Sequence, residues 1–176
     1  MERSSLKGDI SAEAAVIGGG LAGVLTAYYL SERGIETVLL EGDRLGSGQT
    51  KNTTAKITAQ HELIYDRLIH DFGLHRARQY AVANTQAINE YRRLISDKNI
   101  DCDFTGCSAY LYTTEDTIPL ERELDAGLKL GFEAEITTQT ELPFSVKGAL
   151  RYSGQACFNP MKFLGAVSEK LTVYEH

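Results

Sequence analysis

Hydrophobic and polar positions follow two different rhythms along the 176 residues. After a polar start, the run from Ala14 to Leu30 is almost wholly apolar, interrupted by four glycines, and turns polar at Ser31-Glu32-Arg33. Glu13-Ala14-Ala15-Val16-Ile17 ends at a glycine and has the pattern of a fully buried parallel strand. A helix is predicted from about Leu21 to Arg33, with Val24, Ala27, Tyr28 and Leu30 among its apolar positions and Gly34 as its stop. Ile35-Glu36-Thr37-Val38-Leu39-Leu40 predicts a second strand with Glu41 at its carboxyl end. Periodicity is then lost through residues 44–61.

Between residues 62 and 99 a helical rhythm returns. Leu63, Ile64, Leu68, Ile69 and Phe72 repeat at helical spacing, Gly73 interrupts, and Tyr80, Ala87, Ile88, Tyr91, Leu94 and Ile95 resume it, so two helices are expected. From Asp101 the pattern turns β-rich, with a strand over residues 107–114. Residues 115–130 read as a helix with Leu120, Leu124 and Leu128 on one face and Gly131 as its end. Strands follow at 133–136, 142–144, 148–152 and 155–158. Asn159-Pro160 opens a last helix, Asn as N-cap and Pro at the first position, ending near Leu171 before a strand at Thr172-Val173-Tyr174.

The junction of the first strand and helix carries chemistry. Gly18-Gly19-Gly20-Leu21-Ala22-Gly23 satisfies the dinucleotide fingerprint G-x-G-x-x-G. Gly18 permits the tight turn, Gly20 leaves the backbone open to a pyrophosphate, and Gly23 lets the helix pack on the sheet. The N–H groups of Leu21 and Ala22 begin the helix, where its dipole favours an anion. Glu41 lies 23 residues after Gly18, where a carboxylate accepts hydrogen bonds from both ribose hydroxyls and repels a 2′-phosphate. The fingerprint alone leaves NAD and FAD open, but strand, turn, helix, stop, second strand and acid all stand in order.

Composition narrows the class. A hydrophobic fraction of 43%, a charged fraction of 24% and a net charge of −6 are those of an ordinary globular protein without a basic cluster, which excludes nucleic acid as the expected partner. The three cysteines, Cys102, Cys107 and Cys157, fit no metal spacing, and with no secretory signal they imply reduced thiols and a cytoplasmic location. The apolar run from Ala14 falls short of the roughly 20 residues of a membrane span and holds four glycines, so no integral membrane segment is expected.

The loop Leu45-Gly46-Ser47-Gly48-Gln49-Thr50-Lys51-Asn52-Thr53-Thr54-Ala55-Lys56-Ile57-Thr58-Ala59-Gln60-His61 resembles the segment after the second strand in FAD-dependent oxidoreductases of the D-amino-acid oxidase/glycine oxidase superfamily. The branch it resembles most acts on amines or amino acids, and some of its members are fused to a Rieske domain. Gln155-Ala156-x-x-Asn159-Pro160 is similar to the point where that family returns to its FAD domain. The resemblance implies an α/β fold: a Rossmann-like FAD-binding domain of glutathione-reductase type, opening on a βαβ unit, with part of a β-rich substrate domain. It assigns residues 1–99 to the FAD-binding domain, 100–155 to the substrate domain and 156–176 to a returning helix and strand.

FAD is then the cofactor, held by Gly18, Gly20, Leu21, Ala22, Gly23, Glu41 and Gly42. Thr50 and Lys51 fall near the pyrophosphate, and Ala55, Lys56 and Ile57 beside the isoalloxazine. The residues agree with this reading. No acid occurs from Arg44 to His61, while hydroxyls and the cations Arg44, Lys51 and Lys56 suit a diphosphate and a flavin edge. The implied reaction is hydride transfer from the carbon bearing nitrogen to flavin N5, on an amine or amino-acid substrate. No catalytic residue is assigned, and His61, His70 and His75 read as structural or solvated. Family members are at least twice this length, so the chain is expected to be an N-terminal part that needs its C-terminal half or a partner subunit. Two alternatives stay open here: an NAD-binding Rossmann enzyme or domain, and a catalytically inactive remnant.

Overall fold

The structure, a computed structural model, describes residues 3–176. Its elements are β1 (Ala14–Ile17), α1 (Leu21–Glu32), β2 (Thr37–Glu41), a 3-10 turn (Gln49–Asn52), β3 (Lys56–Ile57), α2 (Tyr65–Asp97), β4 (Thr105–Thr113), α3 (Ile118–Leu130), β5 (Ala134–Thr137), β6 (Gly148–Cys157), α4 (Pro160–Ser168) and β7 (Thr172–Glu175). They form two compact units. One holds the residues up to Ala55 with Lys98–Asp103 and Phe158–His176; the other holds Lys56–Asp97 and Phe104–Cys157. The helical residues Tyr65–Asp97 pack in the second unit, and the first boundary between the compact units follows Ala55. No described helix is long and apolar enough to cross a membrane.

The first unit is built on a three-stranded parallel sheet in the order β1-β2-β7, with Ala14 beside Thr37 and Val38 beside Thr172. Parallel neighbours need crossovers, and α1 and α4 supply them. Gly18, at φ +104°, reverses the chain after β1 in a conformation that side chains rarely adopt. Gly23 is required by space: a Cβ there would stand 1.8 Å from the carbonyl oxygen of Gly18. Val24, Ala27 and Tyr28 are the buried residues of α1, and Leu39 of β2 is fully enclosed. Asn159 caps α4 as expected, its side-chain oxygen accepting from the N–H groups of Met161 and Lys162 at 3.1 Å each. The helix closes at Ser168, short of Leu171, because the Glu169 N–H turns back to the Ala166 carbonyl.

β1 corrects the expectation of a fully buried strand. It lies at the edge of the sheet and pairs with β2 alone among the described strands, and Ile17 is 86% exposed. An apolar run encodes a strand, but whether both faces are covered depends on neighbours outside the run.

The second unit is a four-stranded antiparallel sheet with β6 at its centre, β4 along one side and β5 and β3 along the other. Helices α2 and α3 pack on it around Tyr65, Ala77, Leu120, Leu130, Leu150 and Tyr152. Gly73 (φ 78°, ψ 160°) breaks α2 into the two expected helices. The two short strands expected at 148–152 and 155–158 are one strand, β6, and residues 142–144 form bends instead of a strand. The reason lies at Gly154. Cys107 pairs with Gln155 and Ala109 with Tyr152, so β6 spends one residue more than β4 and absorbs it as a bulge without ending.

In α3 the inward face also differs from the row of leucines. Leu120, Glu123, Ala126, Gly127 and Leu130 are buried, whereas Leu128 is 53% exposed. A spacing of four drifts off the 3.6-residue repeat, and the core follows the repeat.

Glu123 is completely buried. Its Oε1 accepts from the N–H groups of Ile64 at 3.0 Å and Tyr65 at 2.8 Å, and its Oε2 from that of Asp66 at 2.9 Å. A side chain of α3 therefore satisfies the open donors at the start of α2. Beside it the Tyr65 hydroxyl donates to the Ala59 carbonyl, while the Tyr152 hydroxyl is buried with no partner among the described residues. Burial, the first cause, and nearby Glu123 push both phenols well above their ordinary pKa. Replacing Tyr152 with Phe removes an unpartnered hydroxyl and should raise the unfolding free energy by about 1 kcal/mol in a urea titration. A drop of that size would mean that the hydroxyl has a partner.

Candidate dinucleotide site

The expected site residues up to Ala55 lie in the first unit, and Lys56 and Ile57 in the second. In the first unit the carboxyl ends of β1 and β2 meet the start of α1. Gly20 is the N-cap of α1 in an extended conformation, with no side-chain cap and no acid in the first turn. The first turn of α1 thus carries no acidic side chain of its own, which suits an anion site. The Leu21 N–H donates to the Thr50 hydroxyl at 3.2 Å, which brings the buried Thr50 from the loop onto the glycine turn. A Cβ at Gly20 would meet only the Thr50 hydroxyl, at 3.4 Å, and one at Gly42 would meet nothing. The space over both residues is open.

Glu41 stands at the end of β2 with its carboxylate engaged on both oxygens. Oε2 accepts from the Gly19 N–H at 2.5 Å and Oε1 from the Asp43 N–H at 2.9 Å. The loop beyond is tied to the turn by the Gly46 N–H on the Gly19 carbonyl at 2.9 Å. Sequence reasoning missed two members of this arrangement. Gly19 supplies the donor that orients Glu41, and a Cβ there would lie 2.3 Å from the Leu45 side chain. Glu175, opposite Glu41 in the β2–β7 register and buried, accepts from the Leu45 N–H at 2.8 Å. An acid at a strand's carboxyl end was the available signal, the same one that marks Glu41.

Lys51 follows Thr50 on the 3-10 turn with its side chain exposed, and Ala22 is exposed on the first turn of α1. Ala55 has φ +62°, a left-handed conformation that costs a residue with a Cβ about 1–2 kcal/mol. Its carbonyl accepts from the Phe158 N–H at 3.1 Å, which holds the strained residue in place. Such strain clusters at ligand sites.

In the second unit, Lys56 is exposed and Ile57 buried on β3, paired with Cys157 and Ala156 of β6. The segment after β3 is held by Gln155, whose side-chain oxygen accepts from the Ala59 N–H at 2.8 Å and the Thr58 hydroxyl at 3.1 Å. His61, the histidine nearest that loop in sequence, is exposed.

Comparison with known proteins fits this geometry. YhfW of Bacillus subtilis (strain 168), named as a Rieske 2Fe-2S iron-sulfur protein, is 38% identical over 169 residues, 95% of this chain and 33% of that protein. Glycine oxidase of the same strain is 31% identical over 114 residues, 64% of this chain and 29% of that enzyme. The structure of L-amino acid deaminase from Proteus myxofaciens superposes with a TM-score of 0.71 at 16% identity, covering 99% of this chain and 42% of the other, and so shares the fold. The chain spans less than half the length of each of these proteins. A family model described as FAD dependent oxidoreductase matches residues 13–173, nearly the whole chain, and the chain belongs to that family.

Proposed function

We propose that this chain holds FAD along its glycine turn and is the N-terminal part of a flavoprotein that oxidises a C–N bond of an amine or amino acid. The family's cofactor is FAD. The observation that carries the assignment to these residues is the open space over Gly20 at the start of α1, where the Thr50 hydroxyl meets the Leu21 N–H, with Glu41 one strand away. The N–H groups of Ala22 and Gly23 would serve the pyrophosphate, with Leu21, the Thr50 hydroxyl that its N–H meets, and Lys51 beside it. Gly18 and Gly42 leave the backbone clear at either side, and Glu41 receives the ribose hydroxyls on the lone pairs that its two backbone donors leave free. The family resemblance assigns Ala55, Lys56 and Ile57 to the isoalloxazine end of the cofactor, where a Lys56 cation would favour negative charge on the ring's edge.

When bound, FAD would supply the acceptor for a hydride from the carbon that bears nitrogen, leaving an imine open to hydrolysis. The names of two similar proteins, a glycine oxidase and an L-amino acid deaminase, support amino-acid or amine chemistry. In this reading residues 1–99 are the FAD-binding part, 100–155 substrate-domain strands and 156–176 the return. The remainder of the protein or a partner subunit completes the pocket, and the three free cysteines suit the cytoplasm. A second reading, a catalytically silent remnant, draws on the uncovered Ile17 of β1. Turnover of amino acids with added FAD, measured with the remainder of the protein or the partner subunit present, separates the two.

Gly20→Val tests the site. A side chain there has room in the free protein apart from the Thr50 hydroxyl, but it occupies the pyrophosphate's path. FAD titration should show affinity reduced at least about tenfold, the equivalent of roughly 1.4 kcal/mol, with the melting temperature little changed. Undiminished FAD affinity in this variant would remove the assignment.

A further inference from the structure

The antiparallel register of the second unit brings two of the three cysteines together. Thr105 pairs with Cys157 and Cys107 with Gln155 across β4 and β6, so Cys107 and Cys157 are diagonal neighbours on one face of the sheet. Cys157 lies close enough to Cys107 to raise the pKa of its thiol. Cys107 is exposed and Cys157 half-buried, so a small reagent reaches the pair, whereas Cys102 is buried and belongs to the first unit.

We propose that Cys107 and Cys157 are an oxidation site that closes to a cross-strand disulfide when the protein meets a hydroperoxide.

Geometry allows it with a small adjustment. Diagonal partners typically stand about 7–8 Å apart, slightly beyond the Cα separations of about 4.4–6.8 Å found in disulfides. The β6 bulge, with Gly154 at φ +74°, falls beside Gln155 and is where the register between the strands already shifts. Backbone movement of the required size is therefore concentrated at an irregular point of the ladder and not in its regular part.

The reaction balances without any further reagent. The Cys107 thiolate attacks one oxygen of the hydroperoxide and breaks the O–O bond, giving a Cys107 sulfenic acid, while the other oxygen leaves as water or an alcohol. The Cys157 sulfur then attacks the sulfenic sulfur; the S–S bond forms and the S–O bond breaks, releasing water. Two thiols lose two electrons and two protons in all, and the peroxide takes up both. Burial raises the pKa of the Cys107 thiol, as does its contact with Cys157, while the Arg92 guanidinium acts the other way. The first step is accordingly slow at neutral pH, which describes a site that responds to sustained exposure.

The bond has a place to act. Lys56 of β3 pairs with Cys157, so Lys56, Cys157 and Thr105 form one row across three strands. A disulfide from Cys157 to Cys107 fixes the central strand of that row against β4. The proposal stands on the register alone and does not depend on flavin binding.

The test is mass spectrometry of the whole chain after treatment with hydrogen peroxide in mildly alkaline buffer. The expected product is lighter by two hydrogen atoms, reverts with dithiothreitol, joins the Cys107 and Cys157 peptides, and keeps Cys102 free. Cys102→Ser should leave the linkage intact. Cys157→Ser should leave a sulfenic acid on Cys107 that dimedone traps. Oxygen added to Cys107 in the wild type without a cross-link, a cross-link that includes Cys102, or inert Cys107 and Cys157 would each overturn the proposal.

Discussion

Glu123→Ala should lower the unfolding free energy by about 3–5 kcal/mol, because it strips a buried carboxylate from three backbone donors at the start of a helix. The loss has two parts. The cavity left by the side chain is one; the larger is the stranding of the Ile64, Tyr65 and Asp66 N–H groups, of which that of Tyr65 is fully buried. Glu123→Gln should recover part of the difference, since the amide oxygen still accepts from one side while its NH2 meets a donor on the other. Urea unfolding of the three proteins, compared by midpoint at constant slope, measures this order. If the alanine variant unfolded within about 1 kcal/mol of wild type, the value of an ordinary hydrogen bond, the cap would not hold α2.

The second large effect is expected at Gly23→Ala. A single methyl group must fit where the Gly18 carbonyl oxygen already lies 1.8 Å away and its carbon 3.0 Å away. Both obstacles are backbone, so no rotamer relieves them. Either α1 lifts from the turn or the turn opens, at a cost near the upper end of the roughly 1–3 kcal/mol typical of overpacking. FAD titration of this variant should fail together with its stability. Gly20→Val offers the contrast, since there binding is lost while folding is kept. A stable Gly23→Ala protein with wild-type FAD affinity would mean that the close approach is not needed.

These two sites differ in how visible they are in the sequence. Gly23 announces itself because turn chemistry is local: a few residues fix the strand, the reversal and the helix, and β1, α1 and β2 appear where the apolar runs and glycines put them. Glu123 is silent. Its partners lie 57 to 59 residues away, and a charged residue on a helix is ordinarily solvated. The pattern of α3 could have revealed it, since 120, 123, 127 and 130 follow the helical repeat better than 120, 124 and 128 do. β6 was hidden for a different reason. Gly154 looks like a strand end, and only the partner strand shows that the chain carries on through a bulge. Of the candidate site, Gly18, Gly20, Gly23 and Glu41 could be read from spacing. Thr50 needed the family resemblance, and Gly19 and Glu175 needed coordinates, because each acts through a hydrogen bond to a loop whose path the sequence does not encode locally.

The two backbone N–H groups that hold Glu41 have a consequence beyond geometry. A free glutamate side chain samples many rotamers, and freezing one on ligand arrival costs up to roughly 1.5–2 kcal/mol in entropy. Here the freezing takes place during folding, as Gly19 and Asp43 lock the carboxylate at the sheet's end. A sugar that docks there meets an acceptor already at rest, so more of the energy of its hydroxyl bonds appears as affinity.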